Sequence, residues 1–274
     1  MYNYCVTLKN LILNEGYDMQ KINNYDVYTK GMSKSYQDKL FFLDKIKESI
    51  MGIVDFGCAD GTLIDYIGKN ISGIKLVGYD IDENMVSLAK SKSNHIFSTS
   101  FNECLNSVEV DKSLLNLSSV LHEIYSYSTS SDIDLFWERA FNSNFAYIAI
   151  RDLCASESIN RPSNINDYAK LLQKANQEQL AEYESIWGST RENRNLVHYL
   201  LKYRYVENWD REVRENYFPL SVERLLSKIP TDKYEIVYFE NYILPFTANK
   251  VKEDFDIDLH DNTHVKLLLK RKET

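Results

Sequence analysis

The stretch "VDFGCADGT", Val54 to Thr62, restricts the folds open to this chain more than any other. An apolar run ending in Asp55 reads as a buried strand. Gly57 and Gly61 then permit a tight turn in which backbone approaches a ligand closely, and Leu63, Ile64 and Ile67 follow at the spacing of a core-facing helix. Turns of this shape cradle phosphates when bare amides and a helix N-terminus face the ligand. Here Asp55 and Asp60 bracket the turn, and carboxylates repel anions. The ligand expected is one with cationic or hydroxyl-bearing parts.

Further strand-like runs recur at "MGIVDF", "IKLVGYD", "NHIFSTSF", "SLLNLSSV" and "FAYIAIRDL", separated by helical stretches such as "DENMVSLAK", where Met85, Leu88 and Ala89 take core-facing positions. This alternation predicts an α/β fold with a doubly wound, mostly parallel sheet. Near the C-terminus, "KYEIVYFENYILPF" and "THVKLLLKRK" read as two long strands joined by the acidic "TANKVKEDFDIDLHDN", in which no helix is expected. They should pair antiparallel, giving a seven-stranded sheet with an antiparallel last strand. Between Asp152 and Lys233 lie about 80 residues, far more than one crossover needs. Tyr168, Leu171, Leu172, Ala175, Tyr183, Ile186 and Trp187 recur there at helical spacing, "LVHYLLKYRYVENW" offers a further amphipathic helix, and Ser221 is a plausible N-cap for "VERLLSKI". Residues 153–218 are therefore read as a helical insertion between strands 5 and 6, a cap over the substrate. Residues 1–152, with an N-terminal helical segment, and 219–274 form the core.

A 44% hydrophobic content suffices for a large core, and a net charge of -8 disfavours a globally basic nucleic-acid binder. Cys5, Cys58, Cys104 and Cys154 are too dispersed for a zinc or redox motif, so no metal is expected. The N-terminus lacks a basic region followed by an apolar core, and no stretch has the length of a membrane span, which leads us to expect a cytoplasmic protein.

Asp55, Gly57 and Gly61, with Asp80 closing "KLVGYD", resemble the strand-turn signature and second acidic residue of class I, Rossmann-like S-adenosylmethionine (SAM) dependent methyltransferases. The resemblance covers about 45–152 as the first five strands and 233–271 as the reversed final pair. It implies SAM as cofactor, with Asp55 near the methionine ammonium and Asp80 accepting from both ribose hydroxyls. Gly57, Ala59, Asp60 and Gly61 would border the cofactor, Ile81 would pack on adenine, and Ser100 or its neighbours would meet the adenine edge. Ala59 replaces a glycine common in that family, a change that is tolerable if its φ is negative. Cys58 reads as a small turn residue facing the sheet rather than a reactive thiol. A dinucleotide-binding dehydrogenase is the nearest rival, but "GCADGT" lacks GxGxxG spacing.

The fourth strand leads into "NLSSVLHEIYSY", where Asn116 and Ser118 should border the cofactor and His122 and Glu123 the chemistry. His122 would accept a proton from the methyl acceptor, and Glu123 would orient the imidazole or bind the acceptor. Alternatively, His122 caps a helix or packs on Tyr125. Tyr25, Tyr28, Lys30, Gly31 and Met32 offer a lid or simple packing. Arg191, Arg194, Lys202, Arg204, Arg211 and Arg214, interleaved with Tyr199, Tyr203, Tyr205 and Trp209, form either an ordinary amphipathic face or a grip on nucleic acid. The expected partner is a small or medium-sized acceptor, with an RNA or DNA end, or a non-catalytic SAM-binding subunit, as alternatives.

Overall fold

The computed structural model describes residues 36–273; Cys5 and the candidate lid at Tyr25, Tyr28, Lys30, Gly31 and Met32 lie outside the described residues. A short helix, α1 (Tyr36–Lys39), precedes the sheet. The first half then alternates as the apolar periodicity requires: β1 (Gly52–Phe56), α2 (Thr62–Asn70), β2 (Lys75–Tyr79), α3 (Glu83–Lys92), β3 (Ile96–Ser98), α4 (Phe101–Asn106) and β4 (Ser113–Ser118). After β4 come α5 (Leu121–Tyr127), α6 (Ser130–Asn142) and β5 (Tyr147–Leu153). The excursion that follows holds α7 (Ile165–Lys174), α8 (Gln177–Trp187), α9 (Asn193–Lys202) and α10 (Trp209–Glu212). The chain returns through α11 (Val222–Ser227), β6 (Tyr234–Tyr242), α12 (Pro245–Phe255) and β7 (His264–Arg271).

The strands form one sheet in the order β3-β2-β1-β4-β5-β7-β6, with β1 to β5 parallel and β7 antiparallel to both neighbours. This is the order of the Rossmann-like methyltransferase fold, with the expected reversed seventh strand. Strand order reverses between β1 and β4, where the connections leave on opposite faces and open a crevice at the carboxyl ends. Val54, Leu115, Ile148 and Phe136 fill one side of the sheet; Ile53, Leu114, Phe42, Ile64 and Leu268 fill the other.

Three details depart from the sequence reading. In α3 it is Val86, with Ala89, that is buried, while Met85 and Leu88 stay at its margin. In the excursion, Asn176 stops and restarts the helix by accepting from the Glu178 and Gln179 amides, so α7 and α8 are separate and Leu172 and Ile186 remain exposed. The acidic connection between β6 and β7 does hold a helix. Pro245 presets the first turn of α12, and Val251 and Phe255 bury against Leu171 and Tyr199 of the excursion. Ser221 caps α11 as expected, accepting from the Arg224 amide at 3.2 Å.

The short α1 is tied to the sheet by charge. Asp38 accepts from Arg151 of β5 (Nε, 2.8 Å), Lys266 of β7 (Nζ, 2.7 Å) and the Tyr242 hydroxyl of β6 (2.6 Å). Burial would raise the Asp38 pKa, but Arg151, Lys266 and Tyr242 hold it below the usual carboxylate value. We expect Asp38→Asn to cost on the order of 3 kcal/mol, because it leaves the buried Arg151 uncompensated. In the wild type the carboxylate's contribution is present above the unfolded aspartate value of 3.8 and is lost as pH falls through the lower folded value. Denaturant titrations of both proteins between pH 7 and 3 check this; equal stabilities at pH 7 would refute it.

Candidate functional site

The β1–α2 turn is left-handed at Gly57 (φ 77°), Ala59 (φ 45°) and Gly61 (φ 75°). Gly57 and Cys58 both donate their amides to the Tyr79 carbonyl, at 2.8 and 2.9 Å, drawing the turn against the end of β2. A Cβ on Gly57 would lie 2.7 Å from Val120 Cγ2, and one on Gly61 2.8 Å from the Phe97 ring, so φ and space both require glycine there. The negative φ expected for Ala59 is not found. Its left-handed backbone costs about 1–2 kcal/mol and is held by the bond from its amide to Asp80 Oδ2, at 2.7 Å. Asp80 Oδ1 accepts from the Asp82 amide at 2.9 Å. Asp80 thus binds two strand ends together, and it remains half-buried beside Ile81, which is 44% exposed. Burial raises its pKa, against the lowering effect of those amide bonds.

Asp60 points elsewhere. Its carboxylate accepts from the Thr62 amide (3.2 Å) and hydroxyl (2.7 Å) and pairs with Lys92, so it braces α2 against α3. Cys58 is buried and its thiol pKa is raised by that burial, which removes reactive-thiol chemistry. Ser100 caps α4, accepting from the Glu103 amide at 3.4 Å, and its own amide donates to Ser98 Oγ at 3.0 Å.

At the end of β1, Asp55 is 3% exposed and accepts from Asn116 Nδ2 at 2.8 Å. Burial pushes its pKa up to about 6, opposed by Asn116 and the charge of Lys39. Asn116 Oδ1 and Ser118 Oγ are buried without a hydrogen-bond partner among the described residues. Such atoms are costly in a finished core and suit a site built for a ligand.

His122 lies in the first turn of α5 and is buried. Its orienting partner is Asp152 rather than Glu123: Nδ1 and Asp152 Oδ1 are 2.6 Å apart, and the carboxylate also accepts from the Leu121 and Leu153 amides, both at 2.7 Å. The imidazole packs on the Tyr217 ring, 5.7 Å between centroids, and not on Tyr125, whose hydroxyl accepts from Trp137. Burial would lower the His122 pKa, but Asp152, then Glu215 and Glu123, carry it up to about 9. Asp152 thereby favours the protonated imidazole, which weighs against the expected role of His122 as a base. Glu123 is instead bound to Arg211, 2.8 Å away.

Arg211 and Glu215 come from the excursion. Glu215 Oε1 accepts from Arg211 Nε (2.8 Å) and the Tyr127 hydroxyl (3.1 Å), and its Oε2 lies 4.0 Å from His122 Nε2. The Asn216 amide donates to Ser126 Oγ at 2.8 Å. The excursion therefore borders the His122 side of the crevice. Several of its basic residues are committed within the fold, while Arg161, Arg191 and Arg214 are exposed. Lys202 is completely buried and donates to the Glu212 and Glu215 carbonyls, Arg194 donates to the Phe218 carbonyl, and Arg191 and Arg204 stack on Tyr168 and Phe246. Asp152, Glu215 and Lys39 were not singled out in the sequence, where the first reads as a strand end and the others as ordinary surface charges.

No family model matches the chain, and no curated protein does. Among solved structures it is similar to the plantazolicin methyltransferase BamL in complex with a triazolic desmethylPZN analog and SAH: 12% identity over 91% of this chain and 88% of that one, TM-score 0.49. It is similar to a SAM dependent methyltransferase from Archaeoglobus fulgidus at 13% identity over 90% and 100%, TM-score 0.49, and to the MccD protein at 11% over 88% and 98%, TM-score 0.47. No residue role in this chain rests on these similarities.

The His122–Asp152 pair has a measurable signature. Because the folded pKa of His122 is raised from 6.5 to about 9, its contribution to stability is fully present below pH 6.5 and is lost as pH rises through 9. The contribution is on the order of 3 kcal/mol. NMR titration of the imidazole should give a midpoint near 9 in the wild type and well below it in Asp152→Asn; matching midpoints near 6.5 would refute the pairing.

Proposed function

We propose that the protein is a SAM-dependent methyltransferase acting on a small or medium-sized acceptor. One observation carries the reading. At the switch point, two buried or half-buried carboxylates flank a left-handed turn while buried acceptors beside them have no partner. A pyrophosphate would meet Asp55 and Asp80 as repulsion, so a dinucleotide fits the crevice poorly. An adenosyl sulfonium with an amino-acid head fits it well. Asp80 keeps a second lone pair on each oxygen for ribose hydroxyls, Ile81 offers an open apolar face for adenine, and Asp55 with Asn116 Oδ1 offers acceptors for an ammonium. When bound, SAM supplies an activated methyl group.

The chain's own contribution to the transfer is positioning and proton handling. His122, fixed by Asp152, presents Nε2–H as a hydrogen-bond donor that orients the acceptor heteroatom without protonating the lone pair that takes the methyl group. A proton leaving that heteroatom has Glu215 Oε2, across the 4.0 Å gap from Nε2, to receive it. The excursion supplies Glu215 and so supports the reading of residues 153–218 as an acceptor cap. The inward commitment of Lys202, Arg194 and Arg211 favours a small acceptor over a nucleic-acid end. Glu123, through Arg211, holds that cap in place.

Calorimetry with S-adenosylhomocysteine (SAH) should give a dissociation constant in the micromolar range, about -8 kcal/mol. Asp80→Ala should weaken binding by about 1.5–3 kcal/mol, and unchanged affinity would remove Asp80 from the site. Affinity should also fall as pH drops below about 6, where Asp55 takes up a proton that the ligand's ammonium must displace. Incubation with methyl-labelled SAM and a cell extract fractionated into metabolites, RNA and protein then identifies the acceptor. Cofactor binding without label in any fraction would favour a non-catalytic subunit.

A further inference from the structure

His122 stands between two carboxylates. Its Nδ1 lies 2.6 Å from Asp152 Oδ1, and its Nε2 lies 4.0 Å from Glu215 Oε2. The first contact is a hydrogen bond and the second is too long for one, so Nε2 and Oε2 make no hydrogen bond to each other. Glu215 is held by its other oxygen, which accepts from Arg211 Nε at 2.8 Å and from the Tyr127 hydroxyl at 3.1 Å. The two side chains are only 10% and 3% exposed, so a group that enters the gap leaves water behind and has to satisfy both atoms.

A carboxylate at each ring nitrogen favours a proton on both, which makes Nε2 a donor, while Glu215 Oε2 is an acceptor. An oxygen about 2.8 Å from each atom spans the 4.0 Å gap with an angle of about 90° at the oxygen, close to the spread of a hydroxyl's proton and lone pairs. The group that completes the pair must donate one hydrogen bond, accept another, and keep a further lone pair for the methyl group. A hydroxyl has that set. A neutral amine has a single lone pair, which Nε2–H would occupy, and an ammonium has none. A thiol is a weak partner on both counts. A carboxylate brings no proton for Oε2 and would join Glu123, Asp152 and Glu215, whose charges already act on His122, as a fourth negative group in a nearly dry site.

We infer that the methylated atom is a hydroxyl oxygen, that the product is a methyl ether, and that His122 Nε2 and Glu215 Oε2 select the hydroxyl as a donor and acceptor pair. This assignment rests on the methyltransferase reading above and narrows its acceptor to alcohols and phenols. In the transfer, one lone pair of the oxygen stays on Nε2–H and the other forms the new O–C bond. The C–S bond breaks with its electron pair going to sulfur, and the hydroxyl proton passes to Glu215 Oε2. The products are the ether, SAH and a protonated Glu215, which returns its proton to water before the next turnover.

The test uses SAM carrying carbon-13 in its methyl group, incubated with the protein and a cell extract. The carbon shift of the labelled product, with correlations from its methyl protons to the next atom, separates an ether from an ester and from methyl on nitrogen, sulfur or carbon before the acceptor is known. An ether methyl is expected. Any other methyl would overturn the assignment and leave the methyltransferase reading standing, whereas no labelled product at all would overturn both. Binding supplies a readout without turnover. The acceptor so isolated, and its analogue with hydrogen in place of the hydroxyl, are titrated calorimetrically into the SAH-loaded wild type and Glu215→Gln. Removing the hydroxyl should weaken binding about tenfold or more in the wild type and less in Glu215→Gln; equal affinities of acceptor and analogue for the wild type would overturn the pair. Glu215→Gln should also lower turnover roughly a hundredfold and leave SAH affinity within about twofold, and undiminished turnover would remove Glu215 from the proton's path. Should thermal melts show that Glu215→Gln does not fold, the methyl shift and the wild-type titrations decide alone.

Discussion

Asp80 ties the turn after β1 to the end of β2. One carboxylate oxygen holds the Ala59 amide and the other the Asp82 amide, so the turn after β1 and the start of α3 are fixed to a single side chain. The strained backbone at Ala59 persists because of that bond, and the Tyr79 carbonyl adds two amides from the same turn. With the turn fixed, Gly57 can press against Val120 and Gly61 against Phe97. An aspartate at this position is a structural clasp, and under the proposed function its remaining lone pairs make it a recognition group as well. Substituting it tests both roles, which is why ligand affinity and stability are best measured together.

Two charged ties flank the crevice. On one side Asp38 secures α1 to β5, β6 and β7; on the other Arg211 and Glu215 secure the excursion to α5. The first fixes the helix that carries the buried Lys39. The second sets Glu215 opposite the imidazole that Asp152 holds. Under the proposed function, the strand ends meet the cofactor's requirements, and α5 with the segment that enters between β5 and β6 meets the acceptor's.

Much of this was legible in the sequence, and the limits have physical causes. The five parallel strands were readable because strands buried on both faces are continuous apolar runs, and the turn because its glycines and carboxylates are adjacent in the chain. The helix α12 was missed because its buried residues, Val251 and Phe255, are few among charged neighbours and its stability comes from docking on Leu171 and Tyr199. Ala59 was expected at negative φ because nothing local signals the pull of Asp80. Asp60 looked equivalent to Asp55, yet its bonds to Thr62 and Lys92 turn it into a brace. His122 was found by its place after β4, but its charge state depends on Asp152 and Glu215, both far away in sequence. Pairings of that kind have no periodicity to betray them. Lys39 illustrates the same limit, because a lysine is ordinary in sequence and unusual only once it is buried.

The most direct measurement is a crystal structure of the protein with SAH. The account predicts the ribose hydroxyls on Asp80, the adenine against Ile81, and the amino-acid head against Asp55 and Asn116, with the sulfur facing the His122 side of the crevice. Strong density for SAH elsewhere, for instance in the polar cavity of about 310 Å³ lined by Arg161, Asn193 and Asp261, with the turn at Gly57 to Gly61 left bare, would contradict it.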